Sequence, residues 1–395
     1  MRILVWSDGG AHTGYATVTE NLGRRWHAQG ADVHVLAINY RGDPWPGPLH
    51  LYPATKHRAS DIFGLGRLPE LLTSLKPEIL FILTDLNTVA EGLRALGGRF
   101  PVPTVLYAPI DGVRLPQPWW SGPRAAHVVV AMAEHGQRVM KREAGLDVEV
   151  LTHGVEHDLL YPVTPERALV VEHAGERHRL ASKQEAKALL GVAGRFVILA
   201  LNRNTVRKNL YDTFRVFDRF RHAHPDAFLY VHATRKEQGG DLALLAERHG
   251  LTPEHAWVHH AGDTFLGSDK SILAWLYNAA DIKLSTSMSE GFGLTDAEAL
   301  ACGTPVVAQD FAATTDVVGP GGILVPVQRH FTTASIVDVG LPDLDAMHEA
   351  LERLYADPHL RQTLSERAVE HARRYDWDQT AGAFFRHFHR LAAMP

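Results

Sequence analysis

One stretch of the chain decides the fold: residues 282–308 read IKLSTSMSEGFGLTDAEALACGTPVVA. The runs 282–285 and 304–308 are short and apolar, which is typical of buried strands. Between them, a Gly-x-Gly turn precedes a run with helical periodicity, residues 295–301, and Gly303 follows as a helix stop signal. Strand, turn, helix and strand in this order predict one repeat of a parallel sheet that is covered by helices.

The same alternation extends along the chain on both sides of this stretch. Further short apolar runs that predict strands are 3–6, 33–38, 79–83, 104–107, 128–131, 195–202, 227–231 and 257–260. The charged, proline-containing segment 163–182 interrupts the pattern, as linkers do. We therefore expect two Rossmann-like α/β domains, residues 1–162 and 183–372, with a linker or surface excursion over 163–182 and a C-terminal helix in 373–395.

The composition limits the class of protein. With 40 Lys and Arg against 45 Asp and Glu in 395 residues, the formal charge is −5, which argues against a surface built as a whole for nucleic acid. The single cysteine, Cys302, excludes an intramolecular disulfide framework and a cysteine-based metal cluster, and it fits a reducing compartment. No segment approaches the roughly 18 apolar residues that span a bilayer. These observations predict a soluble, cytoplasmic protein.

A glycine-rich loop follows the first predicted strand. Gly9, Gly10 and Gly14 let the backbone approach a ligand closely, and the helix that begins there offers unpaired N–H groups to an anion. The spacing differs from the dinucleotide fingerprint G-x-G-x-x-G, so a nicotinamide cofactor is disfavoured. The alternative is a tight turn that binds no ligand.

Two loops of the second half carry charged residues at predicted strand ends. The loop from Arg203 to Lys208 contains three cations before a helix, and two of them could clamp a diphosphate. Glu290 lies in the loop before the predicted helix and Glu298 lies within that helix, where carboxylates can accept hydrogen bonds from paired sugar hydroxyls. The alternatives are solvated surface charge for the cations and helix-start electrostatics for the acids.

Together these motifs resemble those of the retaining, family-four type of nucleotide-sugar glycosyltransferase, which has the GT-B fold. Glu290 and Glu298, with Gly-Phe-Gly between them, match the E-x7-E signature of that family, and the residues after Glu298 match its continuation. Arg203 and Lys208 match its diphosphate-binding pair. The similarity covers most of residues 197–325 and is looser in the first half of the chain.

The resemblance implies a fold and a set of roles. The fold would be α/β, with two Rossmann-like domains facing each other across a cleft; the first domain would serve the acceptor, the second would bind the donor, and the C-terminal helix would cross back to the first. Arg203 and Lys208 would hold the donor diphosphate, Glu298 the ribose, and Glu290 the transferred sugar. The implied donor-binding set is Gly9, Gly10, Gly14, Arg203, Lys208, Glu290, Gly291, Phe292, Gly293, Leu294 and Glu298. The candidate catalytic residues are Glu290, Arg203 and Lys208, together with Asp111, which the resemblance does not supply.

One loop departs from the family pattern. Many members carry a His after the fourth predicted strand, whereas this chain has Asp111 followed by Gly112. Asp111 could orient a sugar or acceptor hydroxyl, or it could only start a turn. Trp119 and Trp120 follow closely and are candidates for stacking on the acceptor side, although tryptophans packed in a surface hairpin are equally common.

We therefore expect a retaining, metal-independent glycosyltransferase that moves a hexose-like sugar from a UDP- or GDP-linked donor to an acceptor hydroxyl. The acceptor could be a glycan, a lipid-linked molecule, a small molecule or modified DNA. Two alternatives are a glycosyltransferase that acts on hydroxymethylated bases in DNA and a non-catalytic sugar-nucleotide-binding protein. The 24 histidines lack the spacing of metal motifs, so we expect no cofactor and no obligatory metal.

Overall fold

The computed structural model describes residues 1–11, 13–56, 60–260 and 269–393. The chain divides into two compact units. The first unit comprises Met1–Gly154, Ala334–Val337 and Asp376–Pro395, and the second comprises Val155–Thr333 and Asp338–Tyr375. Among the described residues, no helix is both long enough and apolar enough to cross a membrane.

The first unit is built on a parallel sheet of seven strands. The strands are β1 (Arg2–Asp8), β2 (Asp32–Ile38), β3 (His50–Pro53), β4 (Ile79–Ile82), β5 (Thr104–Ala108), β6 (Val128–Ala131) and β7 (Glu149–Val150), in the spatial order β3-β2-β1-β4-β5-β6-β7. The helices in this part of the chain are α1 (Gly14–Ala28), α2 (Arg67–Leu75), α3 (Leu86–Ala95), α4 (Ser121–Ala125) and α5 (Glu134–Ala144). Strand order reverses between β1 and β4, so the loop after β1 lies at a switch point, where ligands of such sheets bind.

The second unit is built on a parallel sheet of six strands and carries three small antiparallel ribbons. Its strands are β8 (Leu169–His173), β9 (Glu176–Leu180), β10 (Phe196–Leu201), β11 (Ala227–Ala233), β12 (Lys236–Glu237), β13 (Gly240–Asp241), β14 (Ala256–His260), β15 (Ile282–Ser285), β16 (Val306–Gln309), β17 (Gly322–Val325), β18 (Val327–Thr332) and β19 (Asp338–Pro342). The large sheet has the order β14-β11-β10-β15-β16-β17. Its switch point lies between the adjacent strands β10 and β15.

The helices of the second unit cover the sheet through apolar faces. They are α6 (Lys183–Leu189), α7 (Leu210–Arg221), α8 (Leu242–Arg248), α9 (Lys270–Ala279), α10 (Leu294–Ala301), α11 (Ala313–Val318), α12 (Leu344–Ala356) and α13 (Pro358–Ala372). Phe214, Phe217 and Phe220 recur at helical spacing on α7 and are fully buried in one core cluster with residues of β10 and β11.

The last helix, α14 (Trp377–Ala392), belongs to the first unit. The indole of Trp26 on α1 makes edge-on contacts with Phe388 on α14 and Phe81 on β4, at ring-centroid distances of 4.9 and 5.0 Å. Trp26 Nε1 also donates a hydrogen bond of 3.1 Å to the carbonyl of Ala381. Aromatic burial of this kind holds the C-terminal helix in the core of the first unit.

Residues 163–182, expected to be a linker or surface excursion, contain the ribbon β8–β9. Leu169, Val171 and Leu180 are buried on one side of this ribbon, whereas its other residues are mostly exposed and, apart from Val170, polar or charged. His173 contacts the ring of Trp275 on α9. The segment has few apolar residues among many charged ones, so the sequence did not indicate regular structure there. Buried and exposed residues nevertheless alternate along β8 with the two-residue period of a strand.

Candidate functional site

Two loops of the second unit meet where β10 and β15 end. Residues 206–208 form a single 3-10 turn after β10, and Asn209, in the left-handed region with φ 50°, redirects the chain into α7. The N–H of Met288 donates to the carbonyl of Arg207 at 2.8 Å, and the hydroxyl of Thr286 donates to the carbonyl of Asn209 at 2.9 Å. These bonds fix the cationic loop against the loop that carries Glu290.

Glu290 is enclosed by two cations. Lys208 Nζ lies 2.5 Å from Oε1 of Glu290, and Arg207 Nη1 lies 3.0 Å from Oε2. The side chain of Glu290 is 7% exposed and that of Lys208 is 14% exposed. Burial opposes ionisation of Glu290, but the charges of Lys208 and Arg207 outweigh it and hold the pKa of the carboxyl well below its ordinary value. The cluster is therefore an ionised carboxylate held between two cations.

Burial acts on the lysine of this cluster as well. It lowers the pKa of Lys208, and the neighbouring charge of Arg207 adds to that effect, while Glu290 acts in the opposite direction. Lys208 is thus a buried amine whose charge is compensated by Glu290.

Arg203 lies at the start of the same loop but has a different partner. Its guanidinium forms an ion pair with Glu237 on β12, and its side chain is half-exposed. The structure therefore brings Lys208 and Glu290 into direct contact, whereas it assigns Arg203 to a separate ion pair in the same unit.

Glu298 occupies a second charged cluster on α10. Its Oε1 forms an ion pair with Lys270 at the start of α9, and its Oε2 accepts a hydrogen bond of 2.9 Å from the hydroxyl of Tyr277. Lys270 Nζ also lies 3.5 Å from Oε2 of Glu156. Burial works against the charge of Lys270, but Glu298 and Glu156 outweigh it and raise the pKa of the amine. Both oxygens of Glu298 are thus oriented by protein donors.

A buried ion pair anchors the turn between these two acids. Lys283 on β15 and Asp296 on α10 form this pair, with side chains 0% and 2% exposed. Gly293 has φ +102°, and a Cβ atom there would lie 3.1 Å from Oδ2 of Asp296. Both the backbone conformation and the space favour glycine at this position. Gly291, Phe292, Gly293 and Leu294 therefore form a fixed entry to α10, with first-turn N–H groups at its end.

The glycine-rich loop of the first unit is closely packed. Gly10 has φ +60°, and a Cβ atom there would lie 2.7 Å from the ring of Tyr40; at Gly9 it would lie 3.1 Å from a methyl group of Val35. Gly14 is the first residue of α1, and its predecessor Thr13 caps the helix through a bond from the N–H of Ala16. Close packing explains why these two positions are occupied by glycine, because a larger residue would contact Tyr40 or Val35. That the loop also binds a ligand stays a prediction.

The predicted acceptor-side residues differ in exposure. Asp111 follows β5 and is half-buried, and Trp119 packs partly against the core of the first unit. Trp120 has no exposed surface and belongs to that core. Full burial leaves no face of the Trp120 indole for a ligand, so the stacking role expected from the sequence does not fit this residue.

Sequence reasoning missed three charged members of the site. Arg207 was counted among the loop cations without a role, and Lys270 and Glu237 were not singled out. Lys270 directly follows Asp269, whose side chain caps α9. The cap residue could have marked the start of the helix in the sequence, but it does not indicate that Lys270 pairs with Glu298. The contact with Glu298 spans 28 positions, and pairing at that distance depends on tertiary packing.

The two parallel sheets, with a cluster of charged residues at the switch point of the second, define a Rossmann-like α/β protein. Residues 182–371 match the model of the family described as "Glycosyl transferases group 1". The resemblance inferred from the motifs around Glu290 and Glu298 is thereby confirmed.

Solved structures with the same fold cover nearly the whole chain. Sucrose-phosphate synthase from Thermosynechococcus elongatus has a TM-score of 0.76 at 18% identity and covers 100% of this chain and 99% of its own. HepE of Anabaena, in complex with UDP and glucose, has a TM-score of 0.70 at 17% identity, with 99% and 100% covered. The glycosyltransferase WaaG has a TM-score of 0.68 at 12% identity, with 100% of each chain covered. The predicted fold class, an α/β fold of the GT-B type with two Rossmann-like domains, is confirmed.

Curated relatives match over a shorter segment. D-inositol 3-phosphate glycosyltransferase of Jonesia denitrificans is 36% identical over 116 residues, which are 29% of this chain and 24% of the relative. The protein of the same name from Mycobacterium leprae is 34% identical over 150 residues, 38% of this chain and 31% of the relative. The match thus spans about a quarter to a third of the length of these relatives.

Proposed function

We propose that the protein is a glycosyltransferase that moves a hexose-like sugar from a nucleoside diphosphate to an acceptor hydroxyl. The observation that carries this proposal is the cluster of Lys208, Arg207 and Glu290 at the carboxyl ends of β10 and β15, with Glu298 on the helix that follows. It combines cations for a diphosphate with carboxylates for sugar hydroxyls at the switch point of a parallel sheet. The family of residues 182–371 supports the same reaction class.

The cations have a direct role in this proposal. Departure of the sugar leaves negative charge on the diphosphate, and fixed positive groups that face this charge lower the barrier. Lys208 and Arg207 are held in place by Glu290 before any ligand binds, so their orientation costs little when the donor arrives. Arg203, half-exposed beside Glu237, would add a forked donor to the same diphosphate.

The carboxylates would recognise hydroxyl groups. Glu298, whose oxygens are oriented by Lys270 and Tyr277, is proposed to accept hydrogen bonds from the ribose. Glu290 and the backbone of residues 291–294 are proposed to contact the transferred sugar. HepE, which shares the fold, was solved with UDP and with UDP-glucose, and this favours a UDP-linked donor over a GDP-linked one.

We further propose transfer with retention and without an obligatory metal. The acceptor hydroxyl would attack the face from which the diphosphate leaves, and a donor phosphate oxygen would take its proton. Positive charge for the leaving group would come from Lys208, Arg207 and Arg203. The buried free cysteine, Cys302, supports the expected cytoplasmic location.

The acceptor is a separate part of the proposal. The first unit is proposed to supply the acceptor side through the Gly9–Gly10–Gly14 loop, Asp111 and Trp119. The names of the curated relatives make an inositol phosphate the first acceptor to test.

The experiment has two stages. A thermal-shift screen over UDP, GDP and their sugars identifies the donor, since a ligand of the native state raises the melting temperature. Release of nucleoside diphosphate is then measured with inositol phosphates, simple glycosides, lipid-linked sugars and hydroxymethylated DNA, with and without a chelator. The anomeric coupling constant of the product reports retention or inversion.

The variant Lys208→Ala tests the site, and Arg215→Ala, an exposed cation on α7, is its matched control. We expect Lys208→Ala to lose transfer and Arg215→Ala to keep it. Donor binding without transfer to any acceptor would instead favour the sugar-nucleotide-binding alternative. Activity on hydroxymethylated DNA that falls steeply with added salt would favour the DNA alternative.

A further inference from the structure

A second polar cluster lies in the first unit, at the amino ends of β2 and β3. His34 and His50 are register partners on these adjacent parallel strands, and Asp32 begins β2. Oδ1 of Asp32 lies 3.0 Å from Nε2 of His34 and 3.6 Å from Nε2 of His50. One ligand atom from each residue lies within 4.8 Å of the other two. Two imidazole nitrogens and one carboxylate oxygen thus lie close together, with the two imidazole rings stacked at a centroid distance of 4.8 Å.

These separations fit a tetrahedral metal site. Ligands bound at about 2.0–2.1 Å in tetrahedral geometry lie about 3.3 Å from one another. The observed distances of 3.0 and 3.6 Å from the carboxylate oxygen lie on either side of that value. His50 is mostly exposed, so its ring can rotate to adjust the remaining distance.

The neighbours of the cluster orient its ligand atoms. Nδ1 of His34 lies 3.0 Å from the hydroxyl oxygen of Tyr52. Nε of Arg2 donates a hydrogen bond of 2.9 Å to Oδ2 of Asp32. With Nδ1 as the donor to Tyr52, the lone pair of His34 lies on Nε2, and the carboxylate presents Oδ1 to both histidines. Outer hydrogen bonds of this kind orient metal-binding His and carboxylate groups in proteins.

Nε2 of His34 provides an independent observation. The His34 side chain is 9% exposed, and within the described residues Nε2 is a buried atom that makes no hydrogen bond of acceptable geometry, although it is directed at Oδ1 of Asp32. Its contact with Oδ1, at 3.0 Å, is therefore an ion-pair contact rather than a well-aligned hydrogen bond. A cation between this nitrogen and Oδ1 would satisfy both atoms.

We propose that Asp32, His34 and His50 bind a divalent transition-metal ion, with Zn²⁺ as the best match. A set of two imidazoles and one carboxylate suits Zn²⁺, whereas Mg²⁺ and Ca²⁺ prefer oxygen ligands. Water takes the fourth position, because His50 and Asp32 border solvent. The ion joins β3, the edge strand of the sheet, to β2.

The site is separate from the proposed glycosyltransferase chemistry. It lies at the amino end of β2, and the glycine-rich loop lies at the carboxyl end of the neighbouring parallel strand β1. Seven residues of strand place these ends about 20 Å apart. The ion would therefore stabilise the sheet edge without taking part in sugar transfer.

The test uses the full chain, purified with a chelator and titrated with Zn²⁺ by calorimetry and by thermal shift. We expect one site with an affinity well above those of scattered surface histidines, and a rise in melting temperature with Zn²⁺. His50→Ala, an exposed position, is expected to weaken this site at least 10-fold and to abolish the rise. Tyr52→Phe is expected to weaken it 10- to 100-fold, as loss of an outer hydrogen bond does.

His359→Ala, which removes an exposed histidine of the second unit, is the matched control and should bind as the unaltered chain does. Equal Zn²⁺ affinity of the unaltered chain and His50→Ala would overturn the proposal, as would a site that Mg²⁺ fills at the same concentration. Circular dichroism of His50→Ala in chelator checks that the variant folds, so that a loss of Zn²⁺ binding can be assigned to loss of the site.

Discussion

Replacement of Lys208 by methionine tests the central cluster of the second unit. Methionine keeps most of the apolar stem and removes the charge that lies 2.5 Å from Oε1 of Glu290. The variant leaves a buried carboxylate with Arg207, at 3.0 Å, as its remaining cation. We expect two separable effects: a loss of folding stability and a loss of affinity for a nucleoside diphosphate.

The burial of the pair sets the size of the first effect. Removal of one partner from a buried ion pair costs about 3–5 kcal/mol, because the other charge stays buried without compensation. Arg207 still neutralises the second oxygen of Glu290, so the expected cost lies at or just below the lower end of that range, about 2–3 kcal/mol. For a domain of this size, each kcal/mol lowers the melting temperature by roughly 2–4 °C.

The second effect follows from the lost phosphate contact. A hydrogen bond to a charged group contributes about 1.5–3 kcal/mol, which corresponds to a loss of roughly 10- to 150-fold in affinity for UDP. Calorimetric titration of UDP measures it, and denaturant unfolding measures stability. Glu290→Gln and the double variant complete a double-mutant cycle. Arg215→Ala should leave the UDP affinity unchanged, because the Arg215 side chain is 62% exposed and pairs with Asp212 rather than with Glu290.

Unchanged UDP affinity in Lys208→Met would refute the assignment of this lysine to the diphosphate. A cycle in which the two single substitutions add without coupling would refute the energetic importance of the ion pair. UDP affinity and the free energy of unfolding are measured independently, so the proposed diphosphate contact and the energetic role of the ion pair can be refuted separately.

The remaining predictions concern pH, the ribose, the loops and the buried ion pair. The pKa of Glu290 is lowered in the folded protein, so its ionised form contributes fully to the free energy of unfolding above the ordinary pKa of about 4.3, and this contribution falls as the pH drops below that value. In urea unfolding from pH 6 to pH 3, the difference in free energy of unfolding between the unaltered chain and Glu290→Gln should therefore shrink. Glu298→Gln should reduce the preference for UDP over 2′-deoxy-UDP about 10-fold or more in calorimetry, and an undiminished preference would exclude the ribose contact. Gly10→Ala should lower the melting temperature more than Gly97→Ala, because a Cβ atom meets the Tyr40 ring only at Gly10; equal shifts would show that backbone strain alone matters. Lys283→Met should cost about 3–5 kcal/mol in denaturant unfolding, since Asp296 would stay buried and unpaired, and a cost below 1 kcal/mol would contradict that role.

The sequence predicted the core of the fold well, for a local reason. Buried strands of a parallel sheet are continuous apolar runs, and the turn and stop signals around α10 placed it within one residue of its observed bounds, Leu294–Ala301. The ribbon β8–β9 was missed, because its few apolar residues are spaced among charges and only packing shows that they form one buried side.

The sequence singled out the charged residues of the candidate site but not the partners with which they pair. Arg203, Lys208, Glu290 and Glu298 could be singled out because each stands in a loop or helix start after a predicted strand. That Lys208 pairs with Glu290, 82 positions away, while Arg203 pairs with Glu237, depends on which strands become neighbours in the sheet. The exposure of a side chain also depends on tertiary packing. Trp119 and Trp120 are adjacent and identical in the sequence, yet Trp120 is fully buried in the core and Trp119 is only partly buried.

The sequence by itself determined the elements of this protein, its two Rossmann-like domains and the residue types at their strand ends, since these depend on local periodicity and turn chemistry. The tertiary structure alone decided which charges neutralise each other and which polar atoms stay unsatisfied. The convergence of Asp32, His34 and His50 is the clearest case, because residues 16 positions apart become neighbours only when β3 pairs with β2 in that register. Electrostatic interactions depend on distance and burial, and both are properties of the folded chain.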